Sequence, residues 1–154
     1  MRRRQCHQFQ VSYCASLTSL VREINPMRKG MDMRGKNLEL GKRGETAAEA
    51  FLKKKGYRIL EKNFRTPSGE IDIIAEHKKI LVFVEVKTRA GVEFGHPLTA
   101  VTPAKQKQLG RMAELYLARH KITGRDCRFD VVSVIVDEMQ DDLNVELFPG
   151  AFRV

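Results

Sequence analysis

No stretch of the chain approaches the roughly 18 consecutive apolar residues that a membrane-crossing helix needs, so neither a transmembrane helix nor a membrane partner is expected. The start, Met1-Arg2-Arg3-Arg4, has the positive charge of a secretory signal. Gln5, His7, Gln8, Gln10 and Ser12 then stand where such a signal needs an apolar core, and the expected location is cytoplasmic. Cysteine is scarce and odd in number. Cys6, Cys14 and Cys127 lack metal-ligand spacing and do not make a disulfide framework, which fits a reducing compartment. The four histidines (His7, His77, His96, His120) are scattered, and nothing resembles a zinc site or a histidine-based nuclease motif. At 154 residues, 42% hydrophobic and 31% charged, the chain is long enough to bury a real core in one domain.

Positive charge is plentiful but uneven. The formal net charge is +9, of which residues 1–37 carry +6, eight Lys/Arg against Glu23 and Asp32, leaving +3 for the rest. Phosphate neutralisation with counterion release makes a basic domain a nucleic-acid binder, but charge gathered in a leader is weak support for that. Residues 1–37 lack sustained periodicity and contain Pro26, Gly30, Met27, Met31 and Met33. They read as a basic, flexible leader. An upstream start on a chain that begins near Met27–Met33 and a nucleic-acid-binding arm are the other two readings. The expected domain is 38–154.

Within it, Leu40, Gly44, Ala47, Ala48, Phe51 and Leu52 share one helical stripe from Leu38 to Lys55, and Gly56 is a natural stop. Tyr57–Phe64 and Glu70–Glu76 read as strands around a Thr66-Pro67-Ser68-Gly69 turn. His77-Lys78-Lys79 turns the chain into Ile80–Arg89, apolar on both faces and therefore central. A glycine-containing loop over Arg89–Val101 follows, then a helix capped by Thr102-Pro103 with Leu109, Met112, Ala113, Tyr116 and Leu117 on its buried face. Cys127–Val136 is a β-branched strand and Asn144–Phe148 a short last one. The order α-β-β-β-α-β describes an α/β fold, a mixed sheet flanked by helices.

The chemistry concentrates in residues 70–87. Two neighbouring strands place Asp72 on the first, and Glu85 and Lys87, on one face, at the end of the second. Phosphodiester hydrolysis builds negative charge on the phosphate and the leaving oxygen. A Mg²⁺ ion held by hard oxygen ligands with open positions relieves it and activates water, and Mn²⁺ can substitute. Asp72 and Glu85 are such ligands, and the Val86 carbonyl is a third donor at the same strand end. Lys87 would stand near the water or the phosphate. A Glu–Lys pair at a strand end is often only a solvated pair. Here the polar end adjoins an apolar strand, and Asp72 lies between Ile71 and Ile73-Ile74, where an unpaired carboxylate is costly.

Glu45, on the flank of the first helix stripe, is either a solvated flank residue or reaches over a sheet edge to hold a metal-bound water, and Glu70 is either an extra ligand or the polar residue after a turn. Arg65, Arg89, Lys105 and Gln106 are candidates for binding the nucleic acid, the last two at a helix N-terminus whose free amides favour phosphate. Asp130, inside an apolar strand, reads as a structural partner of Arg128 or another basic group.

The runs Leu40-Gly-Lys-Arg-Gly-Glu45-Thr-Ala-Ala, Gly56-Tyr-Arg-Ile-Leu, Asn63-Phe-Arg, Gly69-Glu-Ile-Asp-Ile-Ile-Ala, Val84-Glu-Val-Lys-Thr-Arg and Arg128-Phe-Asp-Val-Val resemble the YraN-like family of bacterial proteins over about residues 38–154. That family in turn looks like the PD-(D/E)xK nuclease superfamily and, within it, the archaeal Holliday-junction resolvases. The resemblance implies a restriction-endonuclease-like core and Mg²⁺-dependent cleavage. By motif, Asp72 corresponds to the first aspartate, Glu85 to the second acid, Lys87 to the lysine and Glu45 to the first-helix glutamate of the resolvase group. Ile71 stands where the superfamily name has proline, a position that tolerates variation.

The expected function is therefore metal-dependent endonuclease cleavage of DNA, with branched or repair and recombination intermediates as substrates. Symmetric junction cleavage would require a homodimer. The other readings are a non-catalytic nucleic-acid-binding module on the same fold and a nuclease acting on RNA.

Overall fold

The helical stripe from Leu40 to Leu52 closes into α1 (Met33–Lys54), which buries Ala48 and Leu52 completely. It begins ahead of the expected Leu38, through the polar turns around Lys36 and Asn37 that carry no apolar signal. Its end is set by Gly56 at φ 85°, where the amides of Gly56 and Tyr57 bond back to the Lys53 and Leu52 carbonyls at 3.0 Å. The computed structural model describes residues 33–90, 101–137, 140 and 142–154. The leader through residue 32, and residues 91–100 of the loop expected over Arg89–Val101, lie outside them.

Six further elements follow: β1 (Arg58–Thr66), β2 (Gly69–His77), β3 (Ile80–Ala90), α2 (Pro103–Arg119), β4 (Cys127–Asp137) and β5 (Asp142–Phe152). The five strands lie in one sheet in sequence order, antiparallel except for the parallel pair β3–β4 that α2 connects. The observed order, α-β-β-β-α-β-β, is the expected mixed sheet flanked by helices. Thr102 caps α2 by accepting the Lys105 amide hydrogen, with Pro103 in the first turn, as its sequence implies. β5 runs well past Asn144–Phe148 because Pro149 and Gly150, ordinary strand terminators, are tolerated on an edge strand.

The core forms two layers, one on each face of the sheet. Val82, Val84, Val86, Val132 and Val134 pack with Ala48 and Leu52 of α1. Leu81, Phe83, Phe129 and Val131 pack with Leu109, Met112 and Tyr116 of α2. β3 feeds both layers and is the buried central strand. By register, Glu85 lies beside Val131 and Lys87 beside Ser133, so these four share the α2 face, while Thr88 faces α1.

Candidate functional site: two acids and two lysines at a strand junction

The β2–β3 ladder runs from His77–Ile80 to Ile73–Val84, and Asp72 is the next residue along β2. There the strand turns over. Ile73 belongs to the layer of α1 and Ile71 to that of α2, although residues two apart on a regular strand share a face. On β1 the same step passes through Asn63, between the partners Lys62–Ile73 and Phe64–Ile71, at φ 53°. Left-handed backbone is tolerated by asparagine better than by most residues. With both strands turning over, the Asp72 carboxylate takes up a place along the strand junction. Its Oδ2 accepts the Val86 amide hydrogen at 2.6 Å.

Asp72 is pushed up to about 7, first by burial and then by the Glu85 charge. The Val86 amide, Lys105 and Lys87 act in the opposite direction and do not offset these two effects. Glu85 is only 2% exposed. Lys87, two residues on, donates to its Oε1. Its Oε2 lies 3.1 Å from Lys105 Nζ, delivered by the first turn of α2. That second contact is an ion pair without hydrogen-bond geometry, so Oε2 is buried and lacks a hydrogen-bond donor.

Glu45 reaches the same neighbourhood from α1. A Cβ on Gly44 would fall 1.8 Å from Thr88 Oγ1, so glycine is what allows the helix to lie against the end of β3. Glu45 then lines a polar cavity of about 230 Å³ with Lys42, Thr46, Asn63 and Asp72. Glu85 does not line it. Asp72 therefore stands between the Glu85 pair on one side and the Glu45 cavity on the other.

Among the expected nucleic-acid contacts, Lys105 is brought to the acids and the others are placed differently. Arg65 holds Glu70 through two hydrogen bonds of 3.0 and 3.3 Å. Glu70 raises the Arg65 guanidinium most, and Arg65 does not line the Glu45 cavity. Gln106 turns its amide to the Val101 carbonyl at 3.0 Å and faces a larger cavity of about 630 Å³ under α2. That cavity, lined by Phe83, Leu117, Phe129 and Val154, contains none of Asp72, Glu85, Lys87 or Glu45. Arg89 lies one step beyond Lys87 on the same face of β3.

Among the described residues no three His, Cys, Asp or Glu side chains come close enough together to hold a metal ion by themselves. The donor set is compatible with a hard divalent cation all the same. Mg²⁺ commonly takes one or two carboxylates and completes its shell with water and phosphate. The buried Glu85 Oε2 without a donor, beside a carboxyl whose proton affinity is raised by burial and then by a second acid, is what such an ion would meet.

Asp130, completely buried, serves the fold. It accepts from Arg128 Nε at 2.7 Å, from Tyr57 Oη at 2.8 Å and from the Gly150 amide at 2.9 Å, and His77 stacks on the Tyr57 ring. This is the structural partnership with Arg128 that its sequence setting implies. The sequence offers no comparable signal for Ser133 or Asn63. The turn-over at Asn63 and the buried hydroxyl of Ser133 depend on register across strands, which local pattern does not carry.

A scan against protein-family models matches residues 44–134 to the Uncharacterised protein family UPF0102. The chain belongs to the UPF0102 family. Among its relatives, the UPF0102 protein of Syntrophotalea carbinolica is 49% identical over 76% of this chain and 94% of its own length. Those of Caldicellulosiruptor saccharolyticus and Moorella thermoacetica are each 47% identical, over 74% and 73% of this chain and 97% and 93% of their own lengths. The YraN-like resemblance of the motifs is thereby borne out. The stretch matched to UPF0102 contains Glu45, Asp72, Glu85, Lys87 and Lys105, and also Asp130 and Ser133.

Proposed function

We propose that the chain is a metal-dependent nuclease that hydrolyses phosphodiester bonds in DNA. The likeness of its motifs to the PD-(D/E)xK nucleases, and to Holliday-junction resolvases among them, directs this reading toward branched or repair and recombination intermediates. The observation that carries it is the Asp72–Glu85 pair: a carboxyl pushed up to about 7 by burial first and by the neighbouring Glu85 charge second, with a lysine beside each oxygen of Glu85. Such pairs gather where a site handles protons or cations.

Asp72, Glu85 and the Val86 carbonyl would hold Mg²⁺ or Mn²⁺, with Glu45 acting through a water molecule. A bound ion lowers the pKa of water and stabilises the charge that develops on phosphate. The protein's own groups do the rest. The Val86 amide fixes the orientation of Asp72. Lys87 sets an ammonium beside the reacting phosphate and balances the Glu85 charge before substrate arrives. Lys105, at the N-terminus of α2, adds a second ammonium where the helix dipole already favours phosphate. Arg89 on β3 and Arg65 on β1, the latter paired with Glu70, would add positive charge on either side of β2. Cutting both strands of a junction symmetrically would require a homodimer.

The neutralised state of Glu85, balanced by two lysines, favours the second reading, a module that binds nucleic acid without cutting it. Incubating the full chain with labelled junction, flap, linear duplex and single-stranded DNA, and with RNA, in Mg²⁺, Mn²⁺ and EDTA separates these readings. Metal-dependent cutting of DNA supports the nuclease, and its substrate preference names the structure recognised. Binding that persists in EDTA without any cutting supports the module. Cutting of RNA alone moves the substrate class.

A further inference from the structure

Only two buried side-chain polar atoms among the described residues lack a hydrogen-bond partner, Glu85 Oε2 and Ser133 Oγ. Buried polar groups are nearly always satisfied, so each such atom calls for a reason. Both flank one residue. Glu85 precedes Lys87 by two positions on β3, on the same face, and Ser133 is the parallel-ladder partner of Lys87 on β4. Ser133 is 2% exposed and lies between Val131-Val132 and Val134-Ile135-Val136, where another apolar side chain would pack without a polar atom to satisfy. On the β5 side it is partnered by the exposed Glu146.

We propose that Ser133 is a positioning residue that acts through Lys87, an inference that rests on the nuclease reading above. Adjacent strands lie about 4.8 Å apart, well within the reach of a lysine side chain to its ladder neighbour. With Glu85 turned to a cation, the ammonium of Lys87 loses its present acceptor. The Ser133 hydroxyl is a buried oxygen without a partner on the same face, and accepting from that ammonium would fix where the charge stands. In the state described here Lys87 is held by Glu85, and Ser133 waits without a partner.

The inference separates function from stability, because an unsatisfied buried hydroxyl contributes nothing to the fold. Ser133→Ala is expected to unfold at the same temperature as the wild type or higher. Its kcat for DNA cleavage should fall by about ten- to a hundredfold with little change in KM, the scale on which a misplaced group lowers turnover. Ser133→Thr keeps the hydroxyl and should recover most of the rate, whereas Ser133→Cys, with a weakly bonding thiol of similar size, should not. Since Ser133 acts through Lys87, the double variant with Lys87→Met should be no slower than Lys87→Met alone.

A wild-type rate for Ser133→Ala, a rate loss that tracks a lower unfolding temperature, or losses that simply add in the double variant would each overturn the assignment. A wild-type chain that does not cut DNA with either metal, whether or not it binds, would instead overturn the nuclease reading, and Ser133 with it.

Discussion

The carboxylate of Asp72 accepts the Val86 amide hydrogen at 2.6 Å, one residue beyond the last ladder pair of β2 and β3. A side chain thus takes over from the backbone at the point where the two strands part. That bond holds an acid in a partly buried position, near Glu85, with its proton affinity raised to about 7.

The raised value makes a stability prediction. In metal-free buffer the unfolded chain ionises Asp72 near the ordinary carboxylate value of 3.8, while the folded chain keeps the proton until about pH 7. Folding therefore becomes less favourable as pH rises between these values, by on the order of 4 kcal/mol, and the loss is complete above pH 7. Asp72→Asn keeps an oxygen for the Val86 amide and carries no charge. It should raise the unfolding temperature at pH 8 and leave it nearly unchanged near pH 4. A pH series of thermal melts in EDTA checks this, and an equal effect at both ends contradicts it.

Gly44 supplies a second test, with a sign opposite to the usual one. Replacing a mid-helix glycine by alanine normally stabilises a helix by about 1 kcal/mol. At Gly44 the added Cβ would meet Thr88 Oγ1 at 1.8 Å, so α1 must move away from β3. Gly44→Ala should lose about 1–3 kcal/mol, typical of overpacking, and lose cleavage further because Glu45 moves with the helix. Gly41→Ala, which has nothing within 4 Å, should gain stability. Chemical denaturation of both variants reads the contrast.

These two residues also mark how far the sequence could be read. The strand pair that carries Asp72 and Glu85 was legible because Ile71–Ala75 and Leu81–Val86 are apolar runs with a short polar break. The approach of Glu45 was legible only as a position on a helix flank, since the contact that brings it in depends on a strand residue far along the chain. Strict alternation puts Glu70 and Asp72 on one face, but the left-handed backbone at Asn63 turns both strands over at that step. Glu70 is held by Arg65, and Asp72 faces Val86. The Lys105–Glu85 pair joins residues on either side of a crossover, a distance at which helix-terminus chemistry suggests phosphate but cannot name a carboxylate. The length of β5 was hidden by Pro149 and Gly150, which break a central strand and not an edge one.

The lysines around Glu85 should behave non-additively. Lys105 is partly exposed and shares the carboxylate with Lys87, so Lys105→Met alone should cost at most about 1 kcal/mol. Removing both lysines leaves a buried carboxylate with neither counter-ion, a change that costs on the order of 3–5 kcal/mol. Denaturant unfolding of the two single variants and the double variant at pH 8 measures the difference. Strictly additive losses would mean that the lysines do not share the charge.

Asp130 is predicted to matter for folding and not for chemistry. Its carboxylate is completely buried and accepts from Arg128, Tyr57 and the Gly150 amide. Asp130→Ala should cost about 3 kcal/mol or more, because it leaves the Arg128 charge and two further donors unpaired. At a temperature where the variant is still folded, its cleavage rate per folded molecule should match the wild type. A well-folded variant that has lost cleavage would move Asp130 into the site.

The most direct test of the account is a cleavage time course with the full chain and its Asp72→Asn variant on labelled junction and linear duplex DNA, with Mg²⁺ or Mn²⁺ added against an EDTA control. The account predicts cutting by the wild type that requires metal and is absent in Asp72→Asn, although that variant is the more stable protein at pH 8. Cutting by Asp72→Asn at the wild-type rate, or no cutting by the wild type with either metal, would contradict it.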